Sequence, residues 1–263
     1  MAYLKSKTLF FTTSPRSPLK MIPEIEVLHN NFEGKIWNTD TQVAFIKKLA
    51  EGSDFEGQGS DKDRALSARD RINRAPKALG FVDLKPVIKL TEPGETLICG
   101  KRTEEVLLRQ LLKFQLPSPY HKEPEQFHGL FGVKPYLEIF RLIYELGTVS
   151  FDELMIGNTQ TRESRDKSLD KFVKTKASNM RDYADACFRY LRATGMVEIS
   201  QRGHSLSIMP EKKAEVAYFL HTIDRRPVYV DDEERYKEYL FDTTFPVLYS
   251  DDRERLLKQV AEV

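Results

Sequence analysis

The sequence predicts a mainly α (α+β) protein built from two similar units, each a run of helices closed by a small β-hairpin. Three observations predict it. A helix bearing an Arg-Asp pair runs into Gly, strand, turn and strand twice: residues 67–74, 79–82 and 87–91, then residues 178–183, 194–199 and 204–208. Apolar residues recur at helical spacing over most of the remaining chain, whereas strand-like runs are few and short. The 263 residues suffice for two domains of ordinary size, each with its own core. A basic helix followed by a hairpin is the winged form of the helix-turn-helix, so the expected architecture is two such subdomains in tandem.

Residues 1–38 read as an arm. Phe10 to Thr13 suits a short strand, and the Ser14-Pro15-Arg16-Ser17-Pro18 run cannot be mid-helix, because each proline biases its predecessor to extended geometry. Residues 23–28 read as a short helix with Pro23 in its first turn. Thr39 or Asp40 caps a helix to about Glu51. After a Gly-rich loop, a helix starts near Asp61 with Ala65, Ala68, Ile72, Ala75 and Leu79 on one stripe, and Pro76 ends or kinks it. A hairpin turning at Lys85-Pro86 follows, then helices over 92–99 and 103–115.

The proline-rich run 116–122 breaks the pattern and opens a linker over 117–134. It separates an arm plus first winged-helix subdomain, 1–116, from a second subdomain, 135–227. That second unit reads as a helix ended by Gly147, a helix from Asp152 to Ile156 capped by Ser150, and a long stripe split near residues 176–178. A hairpin turning at 202–204 and a helix over 211–221 complete it. Residues 228–263 form an acidic helical segment, read as a solvated tail or a connection to a further domain.

Composition narrows the function classes. Net charge is +1, but residues 228–263 hold ten acidic and five basic side chains, leaving 36 basic against 30 acidic elsewhere. A phosphate-binding surface needs only a local cluster of cations, so near-neutrality is no objection. No apolar run approaches the roughly 20 residues that span a bilayer, and residues 1–13 lack a secretory signal's apolar region. Cys99 and Cys187 fall in predicted helices and are expected as reduced core residues of a cytoplasmic protein. There is no Gly-rich phosphate loop, HExxH, CxxC or nucleophile elbow. His121 and His128 lack partners for a metal site, and Asp70, Asp83 and Lys85 sit on different predicted elements, which speaks against a nuclease centre there.

The candidate residues therefore point to binding. Arg69, Arg71, Arg74 and Lys77 punctuate the first helix, with Ser67, Asp70 and Asn73 between them. Arginine matches the O6/N7 edge of guanine, asparagine the N6/N7 edge of adenine, and aspartate accepts from cytosine. In the second unit Lys174, Lys176, Ser178, Asn179, Arg181 and Asp182 surround the start of the corresponding helix, where free N–H groups attract phosphate. Arg202 and His204 stand at the wing tip, and Arg16 and Lys20 in the arm suit a minor-groove or backbone contact. Lys113, Gln115, His121 and Lys122 are expected as backbone contacts. The competing interpretation of each cluster is a solvated face laced with ion pairs.

Four segments in the same order carry a resemblance: Thr12-Thr13-Ser14-Pro15-Arg16-Ser17-Pro18, Ser67-Ala68-Arg69-Asp70-Arg71, Leu112-Lys113-Phe114-Gln115-Leu116-Pro117-Ser118 and Met180-Arg181-Asp182-Tyr183-Ala184-Asp185-Ala186. Together they resemble the AlwI family of type IIS restriction endonucleases, the group of PleI, MlyI and the BstNBI-type nicking enzymes, over nearly the whole chain. The resemblance implies an amino-terminal DNA-recognition region of two winged-helix subdomains, joined to a magnesium-dependent cleavage domain of the PD-(D/E)xK type. Its nearest members read the asymmetric site GAGTC and cut outside it. Two departures stand out: the chain stops at Val263, where the family continues into cleavage, and the loop at Gly157-Asn158 is shorter than in family members.

The resulting expectation is a monomeric module of a cytoplasmic restriction or nicking enzyme that recognises double-stranded DNA at an asymmetric site. No cofactor is expected in these residues, Mg2+ belongs to the parent's cleavage domain, and that domain or a subunit is supplied after residue 263. The alternative is a winged-helix transcriptional regulator, dimeric on a palindrome. A third reading is a self-sufficient nuclease with its centre in the acidic end.

Overall fold

The computed structural model describes residues 2–3, 15–52, 59–122, 132–151, 153, 177–200 and 205–244. The expected strand at residues 10–13, the loops at 53–58 and 157–165, and the wing tip at 202–204 lie outside these.

A two-residue strand β1 (Ala2–Tyr3) is followed by a 3-10 turn (Pro18–Lys20) that leads directly into α1 (Met21–Phe32). The sequence reads residues 21–32 as part of an arm, with a helix only over 23–28. The structure makes them a core helix instead. Met21, Ile25, Leu28 and Phe32 recur at helical spacing and are 0–6% exposed. The prolines at 15, 18 and 23 obscured this periodicity, yet Pro23 sits in the first turn, where a missing N–H costs nothing.

Helix α2 (Thr39–Gly52) is started by Asn38, whose side-chain oxygen accepts from the Thr41 amide at 3.0 Å, rather than by Thr39 or Asp40. Helix α3 (Asp61–Ile72) begins with a capping box between Ser60 and Asp63 and buries the expected Ala65, Ala68 and Ile72. Pro76 lies within the short α4 (Ala75–Ala78), so the chain turns between α3 and α4 without breaking a hydrogen bond at the proline. The hairpin β2 (Val82–Asp83) and β3 (Lys89–Leu90) pairs Val82 with Leu90, and its turn holds a cis Lys85–Pro86 bond.

Helix α5 (Glu92–Cys99) is tied to that hairpin from both sides. Thr91 donates its hydroxyl to the Gly80 carbonyl at 2.6 Å and accepts from the Gly94 amide at 3.2 Å. Gly94 approaches the Phe81 carbonyl so closely that a Cβ would lie 2.1 Å from its oxygen. Cys99 ends α5 exposed, contrary to the expected core position, while Cys187 is buried; both are free thiols.

Helix α6 (Thr103–Lys113) is buried along its whole second half. Strand β4 (His121–Lys122) pairs in parallel with β1. Helix α7 (Pro135–Leu146) ends at Gly147 and feeds β5 (Thr148–Ser150), a strand the sequence did not suggest. Ser150 and Glu153 exchange hydrogen bonds at 2.7 and 3.1 Å; apart from Glu153, the helix expected over residues 152–156 lies outside the described residues.

Helix α8 (Ala177–Arg192) precedes β6 (Val197–Ile199) and β7 (Ser205–Ile208). These strands and β5 form an antiparallel sheet in the order β5-β7-β6. Helix α9 (Lys213–Thr222) packs on α7 through Phe219 and Phe140, ring centroids 5.1 Å apart.

Helix α10 (Glu233–Phe241) is not a solvated tail. Tyr236 and Leu240 are buried, and the Gln110 side-chain amide of α6 donates to the Leu240 carbonyl at 2.9 Å. Among the described residues one large apolar cluster runs from Met21 to Ile223, through α6 and α7, and a small second one joins Tyr120, Tyr236 and Leu240.

Candidate nucleic-acid interface

Pro15, buried, and the short turn after it bring the segment 15–20 between α3 and α8. Two contacts fasten it there. The Tyr190 hydroxyl of α8 donates to the Pro15 carbonyl at 3.0 Å, and the Arg16 guanidinium pairs with Asp182 of α8 at 2.8 Å. The first contact is buried and constrains the backbone. The second is about half exposed on each side and contributes little energy, but it orients Arg16.

An open groove of about 700 Å³ results. Arg16, Ser17 and Lys20 form one wall, Leu66, Ser67, Asp70 and Arg71 of α3 the other, and Arg189 of α8 closes the end. Glu24 lies in the floor and Asp63 at the rim. The lining thus holds four basic and three acidic side chains, a near balance.

The floor is the most constrained part. Glu24 lies on the same stripe of α1 as Met21, Ile25 and Leu28 and is 3% exposed. It pairs with Arg71, whose side chain is 26% exposed and faces the groove. Burial raises the Glu24 carboxyl above its usual range, and the charge and hydrogen bond of Arg71 oppose that rise. Arg71 is therefore held from beneath by a desolvated carboxylate, a geometry in which a guanidinium keeps few rotamers.

Helix α3 distributes its other polar residues outward. Arg69 is exposed, and its side chain makes no hydrogen bond or ion pair among the described residues. Arg74 pairs with Asp70 at 3.1 Å. Asn73 accepts from the Trp37 indole at 3.0 Å, so it braces the loop before α2. Lys77 turns away from α3 and lies 4.2 Å over the Tyr120 ring; burial, with the charge of Lys85 adding to it, lowers its pKa.

Three expected contact residues are interior. Lys113 is 0% exposed and donates to the carbonyls of Leu240, at 3.3 Å, and Asp242. Burial lowers its pKa to about 7, against the attraction of Asp242. Gln115 is equally buried and brackets Val228, donating to its carbonyl at 2.6 Å and accepting from its amide at 2.9 Å. His121 is 6% exposed beside Ser118, with its pKa lowered to about 4 by burial. Lys113 and Gln115 clamp the chain after α9 onto the end of α6, and all three side chains are buried away from a surface ligand.

Lys122 enters through its backbone in β4. Ser178 and Asn179 lie in the first turn of α8, and Arg181 is exposed one turn on. Lys174, Lys176, Arg202 and His204 fall outside the described residues.

The groove thus joins Arg16, Lys20, Ser67, Asp70 and Arg71 from the sequence-derived set, with Asp182 anchoring Arg16. Besides Ser17 and Asp63, it adds three that sequence reasoning missed, Glu24, Leu66 and Arg189. Each left a signal: a carboxylate on an apolar stripe, a leucine off the apolar stripe of α3, and an arginine four residues after Asp185, with which it pairs at 3.0 Å.

Among the described residues no group of three or more His, Cys, Asp and Glu could hold a metal ion. Asp83 is paired with Lys237 at 3.1 Å and Lys85 with Glu233 at 3.3 Å, so neither joins Asp70 in a magnesium site.

Comparison with known proteins adds two findings. Residues 171–263 match the family described as AlwI restriction endonuclease. Among solved structures, the chain is similar to the BpuJ1 endonuclease binding domain, whose crystal structure is a complex with pyrene- and phenanthrene-modified DNA. The TM-score is 0.57 at 13% identity, over 97% of this chain and 94% of that one, a likeness of fold. No curated protein matches.

Proposed function

We propose, from the match of residues 171–263 to the AlwI restriction endonuclease family, that this chain is a sequence-specific recognition region for double-stranded DNA. In this reading the chain serves a type IIS restriction or nicking endonuclease of the cytoplasm. It binds as a monomer to an asymmetric site such as GAGTC. The two helix-and-hairpin units, α3–α4 with β2–β3 and α8 with β5–β7–β6, are tandem winged helices, and α3 and α8 are their recognition helices.

The observation that carries the proposal is the groove itself. Segment 15–20 spaces α3 and α8 so that Arg71 and Arg189, one from each unit, line a common concavity with Arg16. A helix pair set side by side with guanidinium groups facing one lane is what a reader of consecutive base pairs requires. Arg69 and Arg181, exposed and outside the groove lining, take phosphate contacts in this reading. The solved relative was crystallised with modified DNA, which supports the same ligand class. The described residues do not fit a magnesium site, and no cleavage step is assigned to them. No helix among them is long and apolar enough to cross a membrane.

The test is selection of this chain's preferred sequence from randomised duplexes, followed by sedimentation of the complex. The expected result is one non-palindromic site bound by a single chain. A palindrome bound by two chains would support the transcriptional-regulator alternative, and no enrichment would overturn duplex recognition.

A further inference from the structure

Leu66 lies on the groove-facing side of α3 and is 53% exposed, whereas the leucines of the two preceding helices, Leu28 and Leu49, are 1% and 4% exposed. Its position is set by polar neighbours on the same wall: Ser67 beside it, Asp70 one turn on, and Arg71 held from below by Glu24. A lone exposed leucine is unremarkable in itself. This one stands inside a concavity whose charges nearly cancel. A wall that served only to grip phosphate would gain nothing from carboxylates, which repel it, or from an aliphatic side chain. A base edge in the major groove, by contrast, offers acceptors, donors and, on thymine alone, a C5 methyl group.

We propose that Leu66 is a specificity-determining contact that packs on the C5 methyl group of one thymine, next to the polar contacts made by Ser67, Asp70 and Arg71. The inference rests on duplex recognition as argued above and deepens it. It assigns the α3 wall to reading bases rather than to holding the backbone. Truncating Leu66 therefore changes discrimination and leaves the salt dependence of binding as it was, because no phosphate contact is lost.

The experiment uses the full chain and the duplex site it selects. Each thymine is replaced in turn by deoxyuridine, which lacks only the methyl group. For the unmodified protein, one replacement weakens binding about fourfold, the factor that burying a single methyl group gives. Leu66→Ala weakens binding to the parent duplex by a similar factor and shows no further loss at that thymine. Leu66→Met restores most of the affinity. Because Leu66 is half exposed, the urea midpoint of Leu66→Ala stays close to that of the parent.

If Leu66→Ala binds every duplex as the parent does, or keeps the full deoxyuridine penalty, the Leu66 assignment is overturned while duplex recognition stands. If the chain enriches no duplex at all, duplex recognition itself falls and this assignment with it.

Discussion

Arg71 and Arg69 sit two residues apart on α3 and have different jobs. Arg71 is bound to a carboxylate with almost no solvent around it, so Arg71→Ala leaves Glu24 buried and unpaired, a change on the order of 3–5 kcal/mol in fold stability. Arg69 is exposed and bears no such burden. Arg69→Ala should leave the urea midpoint unchanged, weaken binding to all duplex sequences alike, and reduce the slope of log K against log salt by about 1. Anisotropy titrations at several salt concentrations measure this, and an unchanged slope would remove Arg69 from the phosphate contacts. Lys113 is a residue of the other kind, facing Asp242, Arg109 and the Tyr239 ring in the interior. Its folded pKa is about 7, below the roughly 10.4 of an unfolded lysine. Between those values the unfolded chain binds more protons, so this residue makes stability rise with pH across that window, and its charged form weighs fully against folding below it. Lys134 acts in the same sense from about 8. The contribution of Lys113 is therefore the difference from Lys113→Met: parent stability minus variant stability should increase from pH 7 to pH 10 in urea titrations.

Among the elements, the β2–β3 hairpin and α5 are joined by Gly94, whose missing side chain admits the Phe81 carbonyl. Gly94→Ala would place a methyl 2.1 Å from that oxygen, and the backbone on one side must move. Destabilisation of about 1–3 kcal/mol is expected, read as a lower urea midpoint. Legibility in the sequence also divides by element. Helix α3 was readable because everything that forms it is local: Ser60 and Asp63 cap it, Ala65, Ala68 and Ile72 share a stripe, and Pro76 dictates the turn beyond it. The β2–β3 hairpin was readable from its Lys85-Pro86 turn. Strands β1 and β5 were not, because two or three residues are too few to show alternation. The burial of Lys113 and Gln115 was invisible for another reason. Their partners, Leu240 and Val228, lie more than a hundred residues further on, and polar groups at a helix end look the same whether they meet water or a distant carbonyl. Half of the groove was legible through α3, while Glu24 and Arg189 became members only when three elements converged.

At the scale of the whole molecule, the Tyr190–Pro15 hydrogen bond joins positions 175 residues apart and fixes the groove's first wall. Tyr190→Phe keeps the ring and strands a buried carbonyl, which costs about 1–3 kcal/mol. The expected signature is faster tryptic cleavage after Arg16 together with a modest drop in urea midpoint; unchanged cleavage would show that the segment is held by packing alone. The same long-range bond has a consequence for biosynthesis. A ribosome makes the chain from its amino terminus, and residues 15–20 wait until Tyr190, 175 residues later, has been made. The nascent protein thus emerges with its cleft unassembled, and the groove closes only once residue 190 has left the ribosome.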